Sequence, residues 1–373
     1  MKRCLIVFGT RPEAIKMAPL VKAIENEEGL EAVVCVTAQH REMLDGVLEF
    51  FEISPNYDLD VMVPEQTLPE LQARILQGMD DVLQDAQPDL VFVHGDTTTT
   101  LAASMAAFYA HVPVCHVEAG LRTYNLEAPF PEEMNRQVTD VLSRYHFAPT
   151  ATAKANLKSE QRPAANVLVT GNTVIDALQW GLKKMQSDGY QNAEIDTLKQ
   201  MIDAEKKLIL VTAHRRENLG KGMEEICRGI LDIAEKHNDV QIIYPMHLNP
   251  KVQEPVRRML GGAPNILLIE PLGYAAFLWL MNASYMIITD SGGIQEEAPS
   301  LGKPVLLMRD ATERPEAVES GFVELVGADC GRISTAATYL LTHKDVYLNF
   351  AKSENPYGDG KACERIVDFV KGM

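Results

Sequence analysis

Tyr285-Met286-Ile287-Ile288-Thr289-Asp290-Ser291-Gly292-Gly293-Ile294-Gln295-Glu296-Glu297 is the stretch on which the fold turns. An apolar strand ends at Thr289, a Ser-Gly-Gly turn follows, and a helix carrying two glutamates opens. Glycines let backbone N–H groups approach an anion closely, and the new helix adds the positive end of its dipole. Such a strand–turn–helix suits a diphosphate. Glu297, one turn into the helix, is placed to accept hydrogen bonds from ribose-type hydroxyls. The same pattern also suits a plain tight turn with solvated glutamates, so the rest of the chain has to decide.

Working outward, short apolar runs alternate with longer amphipathic stretches from end to end. The runs are Cys4–Phe8, Val33–Thr37, Leu90–His94, Val112–Val117, His146–Ala148 and Val167–Thr170 in the first half. In the second they are Leu208–Thr212, Gln241–Tyr244, Ile266–Ile269, Tyr285–Thr289, Pro304–Met308 and Phe322–Val326. Val, Ile and Leu dominate them, as parallel strands buried on both faces require. Between them, segments such as Pro12–Asn26 and Leu68–Asp85 have helical periodicity. This alternation predicts an α/β fold of parallel sheets with helices on both faces.

Trp180–Lys207 is polar and charged and has no strand signal, which places a domain change near Gly171. The expected organisation is residues 1–170 as one doubly wound domain and 171–357 as a second. A tail helix over about 358–373 returns to the first. Two such domains facing each other would place their strand carboxyl ends on a shared cleft, where ligands bind.

Composition narrows the function. At 373 residues the chain exceeds one ordinary core, and its 46% hydrophobic and 23% charged residues are those of a globular, enzyme-like protein. A formal charge of −17 argues against nucleic acid and anionic membrane surfaces as partners. A phosphorylated ligand would need local cations and backbone amides. The six cysteines are scattered without a CxxC pair, pointing to a reducing compartment and no zinc site. Residue 1 leads into a strand, and the most apolar stretch, Tyr274–Thr289, is broken by Asn282 and Ser284. Neither a signal peptide nor a membrane span is expected, and a cytoplasmic location follows.

The polar clusters fall just after strands. Gly9-Thr10-Arg11-Pro12-Glu13-Ala14-Ile15-Lys16 puts Arg11 and Lys16 within reach of a phosphate or sugar oxygen. In His94-Gly95-Asp96-Thr97-Thr98-Thr99-Thr100, Asp96 is either a helix N-cap or a reactive carboxylate. His116-Val117-Glu118-Ala119-Gly120-Leu121-Arg122 offers Glu118 as an acid or base, whereas His116 reads as a satisfied core histidine. Pro129-Phe130-Pro131-Glu132-Glu133 delivers two carboxylates to a helix start, for capping or as part of a lid. Thr212-Ala213-His214-Arg215 and Arg309-Asp310-Ala311-Thr312-Glu313-Arg314 add His214 and Arg314. Polar clusters recurring at one end of their strands mark an active site in this architecture.

Taken together, Phe8–Met17, His94–Thr100, His116–Arg122, His214–Asn218 and Thr289–Arg314 closely resemble the non-hydrolysing UDP-N-acetylglucosamine 2-epimerases of bacteria, over the whole chain. The resemblance implies a glycosyltransferase-B-like fold of two Rossmann-like domains, a homodimer, no cofactor, and interconversion of UDP-GlcNAc with UDP-ManNAc. It implies that Ser291, Gly292 and Gly293 hold the diphosphate, Glu297 the ribose, and Arg314 and His214 the phosphate side. Phe277 and Leu272 lie near the base, Leu272 standing where some relatives carry Gln. Arg11, Lys16, Asp96, Glu118 and Glu132 match positions lining the sugar. Gln39, His40, Arg41 and Arg74 match positions associated with an allosteric UDP-GlcNAc site, with Glu42 standing where some relatives have Gln.

The chemistry agrees. The hydrogen on C2 of an N-acetylhexosamine is not beside a carbonyl, so it is not acidic. Transient oxidation at C3 by NAD wants a dinucleotide fingerprint, and no GxGxxG follows the first strand. Expulsion of UDP from C1 with loss of the C2 proton wants a diphosphate grip and carboxylates near the sugar. The rivals are a glycosyltransferase of the same fold, a hydrolysing epimerase releasing UDP and ManNAc, and a nucleotide-sugar sensor without catalysis.

Overall fold

The computed structural model describes all residues except 38–40, 64, 313 and 351–354, and leaves out the side chains of 41–43 and 350. It divides into two compact units, Met1–Gly181 with Tyr357–Met373, and Leu182–Pro356.

The first unit is built on strands β1 (Lys2–Phe8), β2 (Leu30–Val36), β3 (Tyr57–Asp58), β4 (Leu90–His94), β5 (Val114–Val117), β6 (Tyr145–Ala148) and β7 (Val167–Val169). Its helices are α1 (Arg11–Glu25), α2 (Arg41–Phe50), α3 (Leu68–Ala86), α4 (Thr98–Tyr109), α5 (Glu132–Leu142), α6 (Ala151–Ser159) and α7 (Thr173–Met185). All strands are parallel, in the order β3-β2-β1-β4-β5-β6-β7. The chain runs outward from β1 to β3, then crosses back to β4, so the topology reverses between β1 and β4. Their carboxyl ends open the crevice where doubly wound sheets bind ligands.

The second unit opens with α8 (Ala193–Met201) and carries β8 (Lys207–Thr212), β9 (Val240–Pro245), β10 (Ile266–Ile269), β11 (Met286–Thr289), β12 (Val305–Leu307) and β13 (Val323–Leu325). Helices α9 (Lys221–Lys236), α10 (Pro250–Leu260), α11 (Tyr274–Ala283), α12 (Gly292–Glu297), α13 (Pro315–Glu319), α14 (Cys330–Thr342) and α15 (Lys344–Phe350) flank them. The parallel order β10-β9-β8-β11-β12-β13 reverses between β8 and β11. Two doubly wound Rossmann-like units are the architecture that the glycosyltransferase-B-like expectation requires.

Each sheet is apolar on both faces, which is why its strands read as unbroken Val/Ile/Leu runs. Leu5, Val7, Val91 and Val93 pack with Ile75 and Met79 of α3 and Ala103 and Ala107 of α4. Ile209, Val211, Ile242 and Ile288 do the same with Ile226, Ile230 and Ile233 of α9. Each such buried Leu, Ile, Val or Met side chain stabilises the fold by about 1.5–3 kcal/mol. The two-residue β3 is too short to leave a sequence signal, and it was not among the expected strands.

The units divide after Gly181, whereas composition points to a change near Gly171. Helix α7 is the reason, because its first half is tied to the first unit. Asp176 accepts from the N–H groups of Ala362 and Cys363 at 3.2 and 2.8 Å, capping α16 (Ala362–Lys371). Trp180 stacks on Phe51 at 4.6 Å between ring centroids. The tail is held further by Lys2 Nζ donating to the Val370 carbonyl at 2.8 Å and by Phe369 against Phe147. All six cysteines are free, Cys330 alone being only half-buried. No helix among the described residues is long and apolar enough to cross a membrane.

Candidate active site

In the first unit the site grows from the exits of β1, β4 and β5. Thr10 caps α1 in a capping box with Glu13, whose Oε2 also accepts from Gly9 and Thr10 N–H at 3.1 and 2.9 Å. Glu13 Oε1 accepts from Thr97 Oγ1 at 2.7 Å, so this buried carboxyl ties the first loop to the start of α4. The N-cap of α4 is Thr97, not Asp96, which removes capping as the account of Asp96.

Asp96 instead faces Arg136, whose Nη2 lies 3.1 Å from its Oδ2. Burial pushes the Asp96 carboxyl up to about 6, with Arg136 opposing and the charges of Glu118 and Glu132 reinforcing. Arg136 comes from α5, one turn after Glu132, and Asn135 Nδ2 donates to the Asp96 carbonyl at 2.9 Å.

Glu118 follows β5 with φ +63°, a left-handed conformation that an L side chain adopts only under constraint. The constraint is visible: Lys16 Nζ donates to Glu118 Oε2, as does Asn172 Nδ2 at 2.8 Å. His94 Nε2 lies 3.8 Å from the same oxygen. Burial holds the His94 imidazole down to about 3, Glu118 opposing and Lys16 and His116 adding to it, so this ring is neutral. The pair Lys16–Glu118 retains 11% and 9% side-chain exposure, so Lys16 is not a solvated cation at a helix start.

Of the two glutamates opening α5, the buried Glu133 is structural. Its carboxylate accepts from Thr123 and Tyr124 N–H at 3.0 and 2.9 Å and from Gln137 Nε2 at 2.7 Å. Glu132 stays half-buried beside Asp96. Thus Lys16, Asp96, Glu118 and Glu132 come together, and Arg11 is half-buried as the first residue of α1. Arg136, Asn172, His94 and Glu13 complete the group. Sequence reading gave them no role, since their partners lie on other elements.

In the second unit the exits of β8 and β11 meet. Asp290, fully buried, accepts through Oδ2 from the N–H groups of His214 and Arg215 at 2.9 and 2.8 Å and from Asn218 Nδ2 at 3.1 Å. It thereby folds the His214 loop against the start of α12. The His214 ring stacks on His247 at 5.3 Å, a residue that sequence reading did not single out. Burial lowers the His214 pKa, with Asp290 opposing and His247 and Arg215 adding to the effect.

The expected Ser-Gly-Gly turn is differently built. Ser291 is the N-cap, Gly292 and Gly293 begin the helix, and neither glycine has a positive φ. Glycine at 292 allows a close approach of side chains: a Cβ there would lie 2.8 Å from Arg314 Nη1 and 3.4 Å from Arg215 Nη2. Two guanidiniums therefore lie beside Gly292, at the start of α12. Arg314 is fixed by Glu296, whose Oε1 accepts from its Nε at 2.6 Å. Glu297 is buried in the same helix.

Leu272 and Phe277 follow β10, Phe277 on α11, a helix that packs against β8 and against the turn following α12. Between them Gly273 N–H donates to both oxygens of Glu194 at 3.2 and 3.3 Å. Of the four positions matched to an allosteric site, Gln39 and His40 lie outside the described residues, as does the side chain of Arg41. Arg74 Nη1 donates to the Val61 carbonyl at 3.0 Å and to Gln66 Oε1 at 2.7 Å, holding the segment before α3.

A family model described as UDP-N-acetylglucosamine 2-epimerase matches residues 22–371. The UDP-N-acetylglucosamine 2-epimerase of Escherichia coli (strain K12) is 56% identical over 369 residues, covering 99% of this chain and 98% of the relative. Among solved structures, the UDP-GlcNAc 2-epimerase of Neisseria meningitidis bound to UDP-GlcNAc is 51% identical with a TM-score of 0.92, covering 100% of both chains. The Methanocaldococcus jannaschii UDP-GlcNAc 2-epimerase in complex with UDP-GlcNAc and UDP is 35% identical with a TM-score of 0.81, again over 100% of both. Sequence and fold agree from end to end, and this chain belongs to the UDP-N-acetylglucosamine 2-epimerase family.

Proposed function

We propose that the chain interconverts UDP-GlcNAc and UDP-ManNAc without net hydrolysis, by eliminating UDP and adding it back. The observation that carries this reading is the convergence of Asp96, Glu118 and Glu132, with the Asp96 carboxyl pushed up to about 6. A carboxyl poised near neutrality beside other carboxylates can serve as acid or base. The bond from C1 to the diphosphate oxygen breaks with its electron pair leaving on UDP. The C2 proton passes to a carboxylate, and a C1–C2 double bond forms. Proton return to the other face of C2 and readdition of UDP give the epimer.

The first unit works on the sugar, with Arg11 and Lys16 beside the carboxylates. The second holds UDP through Ser291, Gly292 and Gly293, with Glu297 on the ribose and Phe277 and Leu272 near the base. Arg314 and His214 steady the diphosphate as it gains charge. Support for that grip is the pair of guanidiniums beside the start of α12, where they offset the chain's negative field.

A homodimer, a cytoplasmic location, and supply of ManNAc units for cell-surface polysaccharides belong to the same proposal. The neighbouring helices α4 and α5 support the dimer, leaving Phe108, Tyr109 and Val141 exposed at 54%, 64% and 60%. Allosteric activation by UDP-GlcNAc through Gln39, His40, Arg41 and Arg74 completes it. Hyperbolic conversion of UDP-ManNAc with no UDP-GlcNAc present would remove that last element.

Proton NMR of UDP-GlcNAc with the protein in deuterated water tests the function. The expected result is UDP-ManNAc carrying deuterium at C2. Accumulating UDP and free ManNAc would mean a hydrolysing epimerase, transfer only to an acceptor a glycosyltransferase, and binding without exchange a sensor.

A further inference from the structure

His116 lies in β5 with none of its surface exposed. Its Nδ1 is 2.6 Å from Asp140 Oδ1, and its Nε2 is 2.7 Å from the Gly95 carbonyl oxygen. A carbonyl oxygen only accepts, so Nε2 carries a hydrogen. Asp140 is restricted in the same way. Arg122 Nη2 donates to its Oδ2 at 2.6 Å, and Arg122 is itself paired with both oxygens of Glu160 at 2.7 Å. Arg122, a guanidinium that stays charged, holds Oδ2 and keeps the Asp140 carboxyl ionised against its burial, so Oδ1 is an acceptor. Nδ1 therefore carries a hydrogen as well. An imidazole donating from both nitrogens is an imidazolium.

We propose that His116 is a positioning residue: a buried imidazolium clamped by Asp140, whose second N–H fixes the Gly95 peptide and with it the carboxyl of Asp96. Gly95 is the link that needs fixing. It has φ +64°, and its N–H donates to the Val117 carbonyl at 2.9 Å, so both ends of the residue are pinned to β5. The residues on either side of it are His94 and Asp96, two groups of the sugar-side cluster. A neutral His116 would leave a lone pair facing an acceptor at hydrogen-bond distance inside the core, an uncompensated buried contact. With His116 charged, the set Glu160, Arg122, Asp140 and His116 has two charges of each sign, with Glu160 half-buried at its edge. The other imidazoles facing this set remain neutral. His94 is held down by burial with the His116 charge adding, and His146, whose Nε2 is 3.0 Å from the Asp140 carbonyl, is lowered by burial against Asp140.

The functional half of this inference rests on reading Asp96 as a proton-transfer group; the protonation half does not. Proton–nitrogen NMR of wild-type protein labelled with ¹⁵N in its nine histidines tests the latter directly. At neutral pH one imidazole is expected to show two N–H protons slow to exchange. Only singly protonated imidazoles among the protected signals would overturn the proposal. The functional half is tested with His116→Gln, for which kcat on UDP-GlcNAc is expected to fall about 10–100-fold as Asp96 loses its placement. KM and UDP affinity should stay within about twofold, since UDP is held by the other unit. Unchanged kcat, or a loss shared equally with UDP affinity, would overturn it. Asp140→Asn is the second variant: it should abolish the doubly protonated signal, and persistence of that signal would remove the clamp. A wild-type protein that binds UDP but does not epimerise would sink the proposed function while leaving the NMR result to decide His116.

Discussion

Gly292→Ala separates folding from ligand binding. The new methyl group would lie 2.8 Å from Arg314 Nη1 and 3.1 Å from its Cζ, where ordinary contact begins at 3.4 Å. The obstacle is the far end of a flexible side chain, so the protein can yield by moving the guanidinium. Backbone strain is not an issue, because Gly292 already has a helical, negative φ. At such a position, replacing Gly by Ala stabilises a protein by about 0.4–1 kcal/mol through the unfolded chain. Displacing Arg314 strains its 2.6 Å contact with Glu296, so the net change in stability should be within about 1 kcal/mol of zero. Binding should respond differently. The methyl group fills the approach of a phosphate to the α12 amides and shifts a guanidinium that would accompany it. Losing one charge-assisted hydrogen bond costs about 1.5–3 kcal/mol, a weakening of about 10–150-fold in Kd. Calorimetric titration with UDP and a thermal melt on the same sample measure both. Wild-type affinity for UDP in a folded variant would refute the placement of the diphosphate at this turn.

Two further outcomes follow from the sugar-side cluster. Asp96 titrates near 6, protonated below and ionised above, so an activity using it should change between mildly acidic and neutral pH. Arg136 opposes that upward shift, so in Arg136→Met the inflection in kcat/KM should move to higher pH, and an unmoved inflection would remove Asp96 from the rate-determining chemistry. Lys16→Met removes a cation that Glu118 meets in the core, where Asn172 adds a neutral hydrogen bond. Breaking one side of such a pair costs about 3 kcal/mol, visible as a lower urea midpoint; an unchanged midpoint would mean that the pair is solvated.

The sequence by itself determined the architecture and the location of the chemistry. Strands buried on both faces have to be apolar throughout, so their runs are legible without neighbours, and the polar residues after them mark the strand exits. Asp96, Glu118, His214 and Ser291 could therefore be named from position alone. Tertiary structure decided which of these groups touch and in what state. Lys16 meets Glu118, 102 residues away, only because the order β1-β4-β5 brings their loops side by side. Glu132 and Glu133 are equivalent in a helix-start pattern, yet one caps a loop and the other faces Asp96. Gly292 reads as a turn residue and proves to be a residue of close approach. His116 reads as a core histidine, and only its two acceptors, on different elements, make it a cation. Periodicity is a local property of the chain, whereas charge state and hydrogen bonding depend on partners that sheet order brings together from distant segments.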